Sequence, residues 1–148
     1  MHRENICGFC TNPENQEREI MQNELVWAFP ALKPIVPGHI LICPVRCVAT
    51  FEELTPDEQK ALFEAMTAIK KSLQKVFHAT GFNHAWNENI VAGQTVPHLH
   101  LHVLPRTEED EVRYGYEPRQ FLYRPTADRM APPQQELIEV AHSIAANL

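Results

Sequence analysis

Between Leu62 and Phe77 the apolar side chains fall at intervals of three and four: Leu62, Ala65, Met66, Ile69, Leu73, Val76 and Phe77. That spacing winds into one stripe along an α-helix. The run "TPDE" just ahead of it supplies a start. Thr55 is placed to cap, Pro56 to open the first turn, and Glu58 to return a bond to the cap. Gly81 offers the stop. A terminal helix is expected from about Pro133 to Leu148, with Leu137, Ala141, Ile144 and Leu148 on its apolar side.

Elsewhere the period is two. "HILICPV" sets Ile40 and Ile42 on one face and Leu41 and Cys43 on the other, which predicts a central strand covered on both sides. "NELVWAFPAL" reads as a strand broken or bulged at Pro30, whose nitrogen cannot donate to a ladder. "NHAWNENIVAG" reads as a strand and loop, and "QFLYR" as a short strand. "TVPHLHLHVLP" reads as a strand, with Pro97 suited to an edge, a bulge or the first rungs. Residues 1–23 are polar and turn-rich, and "RTEEDE" reads as a solvated loop. The expected fold class is α+β: an antiparallel sheet of about five strands carrying one long helix and a C-terminal helix. A chain of 148 residues supports one sizeable core rather than two.

A formal charge of -6 argues against a general nucleic-acid surface but leaves room for a small anion in a local pocket. No apolar run approaches the ~18 residues that span a bilayer. The opening stretch "MHRENICGFCTNPENQERE" lacks the apolar run of a signal peptide, so a cytoplasmic, reducing location is expected. There, the closely spaced Cys7 and Cys10 of "CGFC" read as ligands or catalysts rather than as a staple. Their spacing alone is compatible with a metal chelate, a cycling dithiol or a plain turn. Cys43, alternating with Leu41, reads as core packing.

The chemistry concentrates in "HLHLH". On a strand, His98, His100 and His102 share one face while Leu99, Leu101 and Val103 take the other. A merely solvated face would accept Thr, Lys or Glu as readily. Two readings remain: metal ligation by all three, or at least one imidazole acting as nucleophile or acid-base. Just upstream, Gly93 permits close backbone approach to a ligand. Asn87, Gln94 and Thr95 supply neutral hydrogen-bonding groups. The sequence has no Gly-rich phosphate loop with a Lys, and no paired carboxylates beside the histidines.

"GHILICPVR", followed after the capped helix by "AGQTVPHLHLHVLPR", resembles the histidine triad family of nucleotide hydrolases and transferases. The resemblance runs from about Cys7 to Arg106. "KPIVPGHILICPVR", "TPDE" and "GQTV" are most similar to its fragile-histidine-like branch, which splits dinucleoside polyphosphates. It implies a nucleotidyl-imidazole intermediate on His100 and a substrate such as diadenosine tetraphosphate, cut to AMP and ATP. His102 would bind the transferred phosphate and help protonate the leaving group. His39 would belong to the hydrogen-bonded network behind the nucleophile, a role that the backbone carbonyl of a neighbour could fill instead. Asn87, Gly93, Gln94 and Thr95 would contact phosphate or nucleotide. A phosphoramidase or nucleotidyltransferase would use the same histidine with another leaving group, and a non-catalytic nucleotide-binding module is the remaining reading.

Bacterial members and the related galactose-phosphate uridylyltransferases carry CxxC near the N-terminus. Their zinc is completed by a histidine after the "GHxLxxP" strand and by the first triad histidine. Those positions are Cys47 and His98 here, so the implied structural zinc sits on Cys7, Cys10, Cys47 and His98, a Cys3His set. The implied layout is one domain over residues 1–148: a zinc knuckle and loop (1–23), a catalytic core (24–106), and a C-terminal loop and helix (107–148). A substrate-bound Mg ion is compatible, because polyphosphates bring their own, and a homodimer is implied. Two positions depart from the pattern. Ala31 stands where the family places Asp or Asn against ribose, and Asn89 where it has Gly. Lys33, Arg46 and Arg106 are candidate sources of positive potential for a polyphosphate.

Overall fold

The Thr55 signal forms as its spacing predicts. In the computed structural model, which describes residues 7–110 and 130–148, Thr55 Oγ1 accepts from the Glu58 amide at 3.1 Å and Glu58 Oε1 accepts from the Thr55 amide at 2.9 Å. The helix they open runs from Pro56 to Phe77. In chain order the elements are α1 (Pro13–Glu17), β1 (Met21–Gln22), β2 (Val26–Pro30), β3 (Ile40–Pro44), α2 (Pro56–Phe77), β4 (Gly81–Ala85), β5 (Leu101–Arg106) and α3 (Gln134–Ala146). The strands form one five-stranded antiparallel sheet in the order β1-β2-β3-β5-β4.

β3 is the middle strand, and all five of its residues are buried. Ile40 and Ile42 pack with Leu101 and Val103 against Ile69 and Leu73 of α2, which forms the main core. Leu41 and Cys43 join Trp27, Phe29 and Ala31 in a second cluster, with Phe9 laid against it. The sheet therefore has an apolar face under the helices and a second face roofed by the N-terminal segment. Ser72 interrupts the apolar stripe of α2 for a reason: its Oγ donates to the Ile144 carbonyl at 2.6 Å and ties α2 to α3. Among the described residues, no helix is long and apolar enough to cross a membrane.

Several expectations are corrected. α2 ends at His78, which takes the left-handed conformation (φ 56°), and Gly81 instead begins β4. Pro30 does not break β2; it is the last rung, opposite Ile40, where its missing donor costs least. β5 starts only at Leu101, so His98 and His100 lie on the extended lead-in rather than in the ladder. That lead-in is held by the Leu99 amide donating to the Val48 carbonyl at 2.7 Å. Asn12 caps α1, a helix within the stretch read as knuckle and loop. Leu148 is exposed, beyond the end of α3. "RTEEDE" is solvated only in its middle: Glu108 and Glu109 are exposed, whereas Arg106 and Asp110 are both buried and pair at 2.8 Å. "QFLYR" lies outside the described residues.

Glu58 also pairs with Arg46, whose Nη2 approaches Oε1 at 2.7 Å. That hydrogen bond is the main reason the Glu58 carboxyl sits below its ordinary pKa. A carboxyl depressed in the folded state contributes stability above its unfolded pKa and loses it as pH falls through the folded value. Glu58→Gln retains a side chain suited to the capping box but removes the charge. It should cost about 0.5–1 kcal/mol in urea denaturation at pH 7. The difference from the native chain should shrink below a pH of about 4. An undiminished difference in acid would contradict this account.

Candidate active site and metal cluster

Cys7, Cys10, Cys47 and His98 converge, with their ligand atoms all within 4.8 Å of one another. Cys7 Sγ and Cys10 Sγ stand 3.1 and 3.5 Å from His98 Nδ1. On the opposite side of that ring, Nε2 lies 2.7 Å from the Pro44 carbonyl. A carbonyl only accepts, so Nε2 carries the hydrogen and Nδ1 presents its lone pair to the sulfurs. An outer carbonyl that fixes the tautomer is how proteins prepare a histidine ligand. The spacing suits a tetrahedral ion, for which Zn–S of about 2.3 Å and Zn–N of about 2.0 Å set the ligand separations. Burial, and then the neighbouring Cys7 and Cys10, push the Cys47 thiol up to about 12. Without a cation the Cys47 thiol resists ionising. Cys43 is fully buried, and its thiol is likewise raised, first by burial. It belongs to the second core cluster, as its alternation predicts.

Two residues along, the same logic assigns the next imidazole. His100 Nδ1 lies 2.7 Å from the His98 carbonyl. Nδ1 therefore bears the hydrogen, and Nε2 is left as the nucleophilic nitrogen. Burial holds the His100 pKa below its ordinary value, partly offset by that carbonyl, so the imidazole is neutral at physiological pH. His102 takes the opposite tautomer through a relay. The Ile35 amide donates to His39 Nδ1 at 3.1 Å, so neutral His39 carries its hydrogen on Nε2. His39 Nε2 then lies 2.9 Å from His102 Nδ1 and donates to it, which leaves the His102 hydrogen on Nε2. One triad imidazole thus offers a lone pair and its neighbour, 4.9 Å away by ring centroid, a donor. His39 thus bonds to His102, while the support of His100 is the His98 backbone carbonyl.

His39, His100, His102, Thr95 and Lys33 line a cavity of about 430 Å³. Its remaining walls include Phe9, Phe29, Ala31 and Arg18. Of the three anticipated cations, Lys33 reaches this cavity, whereas Arg46 and Arg106 sit in ion pairs elsewhere. Arg18 and Phe9 were not anticipated. The signal for Phe9 was its place between Cys7 and Cys10, which any shared ligand must bring to the histidines. Arg18 gave no local signal for the cavity, since its contacts to Pro30 and Gln134 depend on the fold.

The loop before the triad divides. Thr95 stands on the cavity wall, whereas the buried Gln94 amide ties the loop to the segment that follows β3. Its Oε1 accepts from the Asn89 amide at 3.0 Å and its Nε2 donates to the Ala49 carbonyl at 2.8 Å. Gly93 adopts φ 91° to close the turn Ile90–Ala92, and a Cβ there would come within 3.9 Å of the Asn87 amide. Asn89 adopts φ 71° and ψ 157°, a region that is nearly glycine's alone. Its amide and carbonyl are both bonded to neighbours, and these bonds hold the strain in place. Asn89→Gly should therefore stabilise the protein by about 1 kcal/mol, the relieved strain exceeding glycine's extra unfolded-state entropy. A lower thermal midpoint in that variant would refute the strain.

The profile of the HIT domain family matches residues 12–109. The chain belongs to the HIT domain family. It is 42% identical over 89 residues to the bis(5'-nucleosyl)-tetraphosphatase [asymmetrical] of Schizosaccharomyces pombe, a match covering 60% of this chain and 49% of that protein. This chain thus spans about half the length of that relative. It is 33% identical over 115 residues to a bis(5'-adenosyl)-triphosphatase of Dictyostelium discoideum, covering 72% of this chain and 77% of the relative. Among solved structures, a Hit-like protein from Bartonella henselae superposes with a TM-score of 0.79 at 26% identity, covering all of both chains. That superposition places this chain's antiparallel sheet and helices on the HIT fold.

Proposed function

We propose that this HIT protein is a hydrolase that splits dinucleoside polyphosphates, such as diadenosine tetraphosphate into AMP and ATP, through a nucleotidyl-histidine on His100. The observation that carries the reading is the 2.7 Å contact of His100 Nδ1 with the His98 carbonyl, which leaves Nε2 as the lone-pair nitrogen of a residue on the cavity wall. The names of the Schizosaccharomyces and Dictyostelium relatives support the substrate class. Nε2 attacks the phosphorus that carries the nucleoside, and the P–O bond to the rest of the polyphosphate breaks. The leaving nucleotide takes that electron pair and departs as an anionic phosphate, to whose oxygen His102 donates a hydrogen bond through its Nε2–H. Water then attacks the same phosphorus and gives up one proton to solvent, and the P–N bond breaks with its electron pair returning to His100 Nε2, which releases a nucleoside monophosphate. Thr95 contributes a hydroxyl to phosphate, and Asn87, Gly93 and Gln94 shape the loop that presents it.

Cys7, Cys10, Cys47 and His98 would hold a structural zinc. Four protein ligands fill a tetrahedron and leave no position for substrate, so the metal supplies rigidity rather than a reactive water. A single domain, a homodimer and a cytoplasmic location complete the reading.

Incubation with diadenosine tetraphosphate, followed by chromatography, tests the function. AMP and ATP are expected in equal amounts. Two ADP would place the cut at the central linkage and contradict attack at the nucleoside-bearing phosphorus. The tautomers of His100 and His102 favour one second reading as well, since they serve a nucleoside phosphoramidate or sugar nucleotide equally. Faster turnover of either would replace the leaving group and keep the histidine.

A further inference from the structure

Phe9 is carried between two of the candidate metal ligands, yet its ring faces the nucleophile. The ring lies edge-on to His100, with centroids 5.0 Å apart and planes at 78°. It also stands 5.7 Å from His98, the ligand whose carbonyl orients His100. Both separations fall in the range where aromatic rings attract in edge-to-face or tilted geometry.

The ring is fixed from behind. It packs edge-on against Phe29 at 5.4 Å. The Phe9 carbonyl accepts from Asn15 Nδ2 at 3.2 Å, and Asn15, itself buried, is held by Arg18 Nη2 at 2.6 Å. The Cys10 amide, 3.5 Å from Cys7 Sγ, closes the loop that bears Phe9. An imidazole with one hydrogen bond can still turn about its broad, roughly two-fold ring torsion. A half-turn would bring Nδ1 away from the His98 carbonyl and remove the lone-pair nitrogen from its working position.

We infer that Phe9 is a positioning residue, which couples the Cys7–Cys10 knuckle to catalysis by holding the His100 ring in its carbonyl-bonded, Nδ1–H orientation. This rests on the reading of His100 as the nucleophile. The competing role is a plain apolar wall for the nucleoside, shared with Phe29 and Leu41. The two roles separate kinetically: a wall acts on KM, whereas nucleophile orientation acts on kcat.

The test uses the full, metal-loaded chain and the variants Phe9→Leu and Phe9→Met, compared at matched metal content. Long-range 15N–1H NMR reads the His100 ring nitrogens without substrate. The native chain should show one Nδ1-protonated tautomer, and the variants an averaged pair of nitrogen shifts. On diadenosine tetraphosphate, kcat should fall about 5- to 10-fold, with KM unchanged, as expected for loss of one aromatic pair. Phe9→Tyr, which keeps the ring, should restore both readouts. An unaltered tautomer in Phe9→Leu and Phe9→Met, or a raised KM with kcat intact, would overturn the inference. The NMR readout needs no turnover, so it decides the role of Phe9 even if the chain hydrolyses none of these substrates.

Discussion

His100→Ala should slow dinucleoside polyphosphate hydrolysis by about 10⁴-fold or more while nucleotide binding survives. Removing a nucleophile from a preorganised site costs on that order, because the remaining groups then act on water alone. The side chain is buried, but its one hydrogen bond is to the His98 carbonyl, which the lead-in backbone holds independently. The variant should therefore fold. Equilibrium binding of a non-hydrolysable dinucleotide, run beside turnover, separates lost chemistry from lost affinity. Turnover within tenfold of the native chain would contradict the role of His100. Affinity lost in parallel would mean that His100 mainly binds.

Metal removal is the second large effect. The native chain should carry one zinc per chain by elemental analysis. Chelation, or Cys7→Ser, should lower the thermal midpoint by roughly 10–20 °C, since a structural zinc contributes several kcal/mol and each is worth a few degrees in a domain of this size. Cys7 and Cys10 lie on the N-terminal segment, Cys47 follows β3 and His98 precedes β5, so the ion would join three distant stretches of chain. Losing it also frees the segment that carries Phe9. Activity should thus fall together with the midpoint. Loss of activity on chelation with an unchanged midpoint would point instead to a catalytic metal on the histidines. No change in either would remove the metal from the account.

The parts of this molecule that were legible in the sequence are those written locally. The capping box at Thr55 and the two-faced burial of β3 each depend on neighbours a few residues away, and both form as read. The Cys47 substitution was legible because a thiol can replace an imidazole at zinc, and the geometry brings it to the cluster. What the sequence left unread depends on partners fixed only by the fold. His39 pairs with His102 because β3 and β5 are in register at Leu41 and His102, which no spacing within either strand reveals. Gln94 looked like a ligand contact because its amide is a good one. Its bonds to Ala49 and Asn89 require the loop to be closed first. Arg106 and Asp110 looked solvated because both are charged, and their mutual pairing hides them. The left-handed residue at the end of α2 is His78 rather than a glycine, a substitution that histidine tolerates better than most side chains.

The covalent intermediate is the most direct test of the central claim. The native chain, mixed with diadenosine tetraphosphate and quenched in alkali within milliseconds, would be digested and analysed by mass spectrometry, because phosphoramidate bonds survive base and not acid. The account predicts a nucleotidyl adduct on the peptide containing His100, localised to that imidazole and absent from His100→Ala. An adduct on a different residue, or product formation at full rate with no adduct at any quench time, would contradict it.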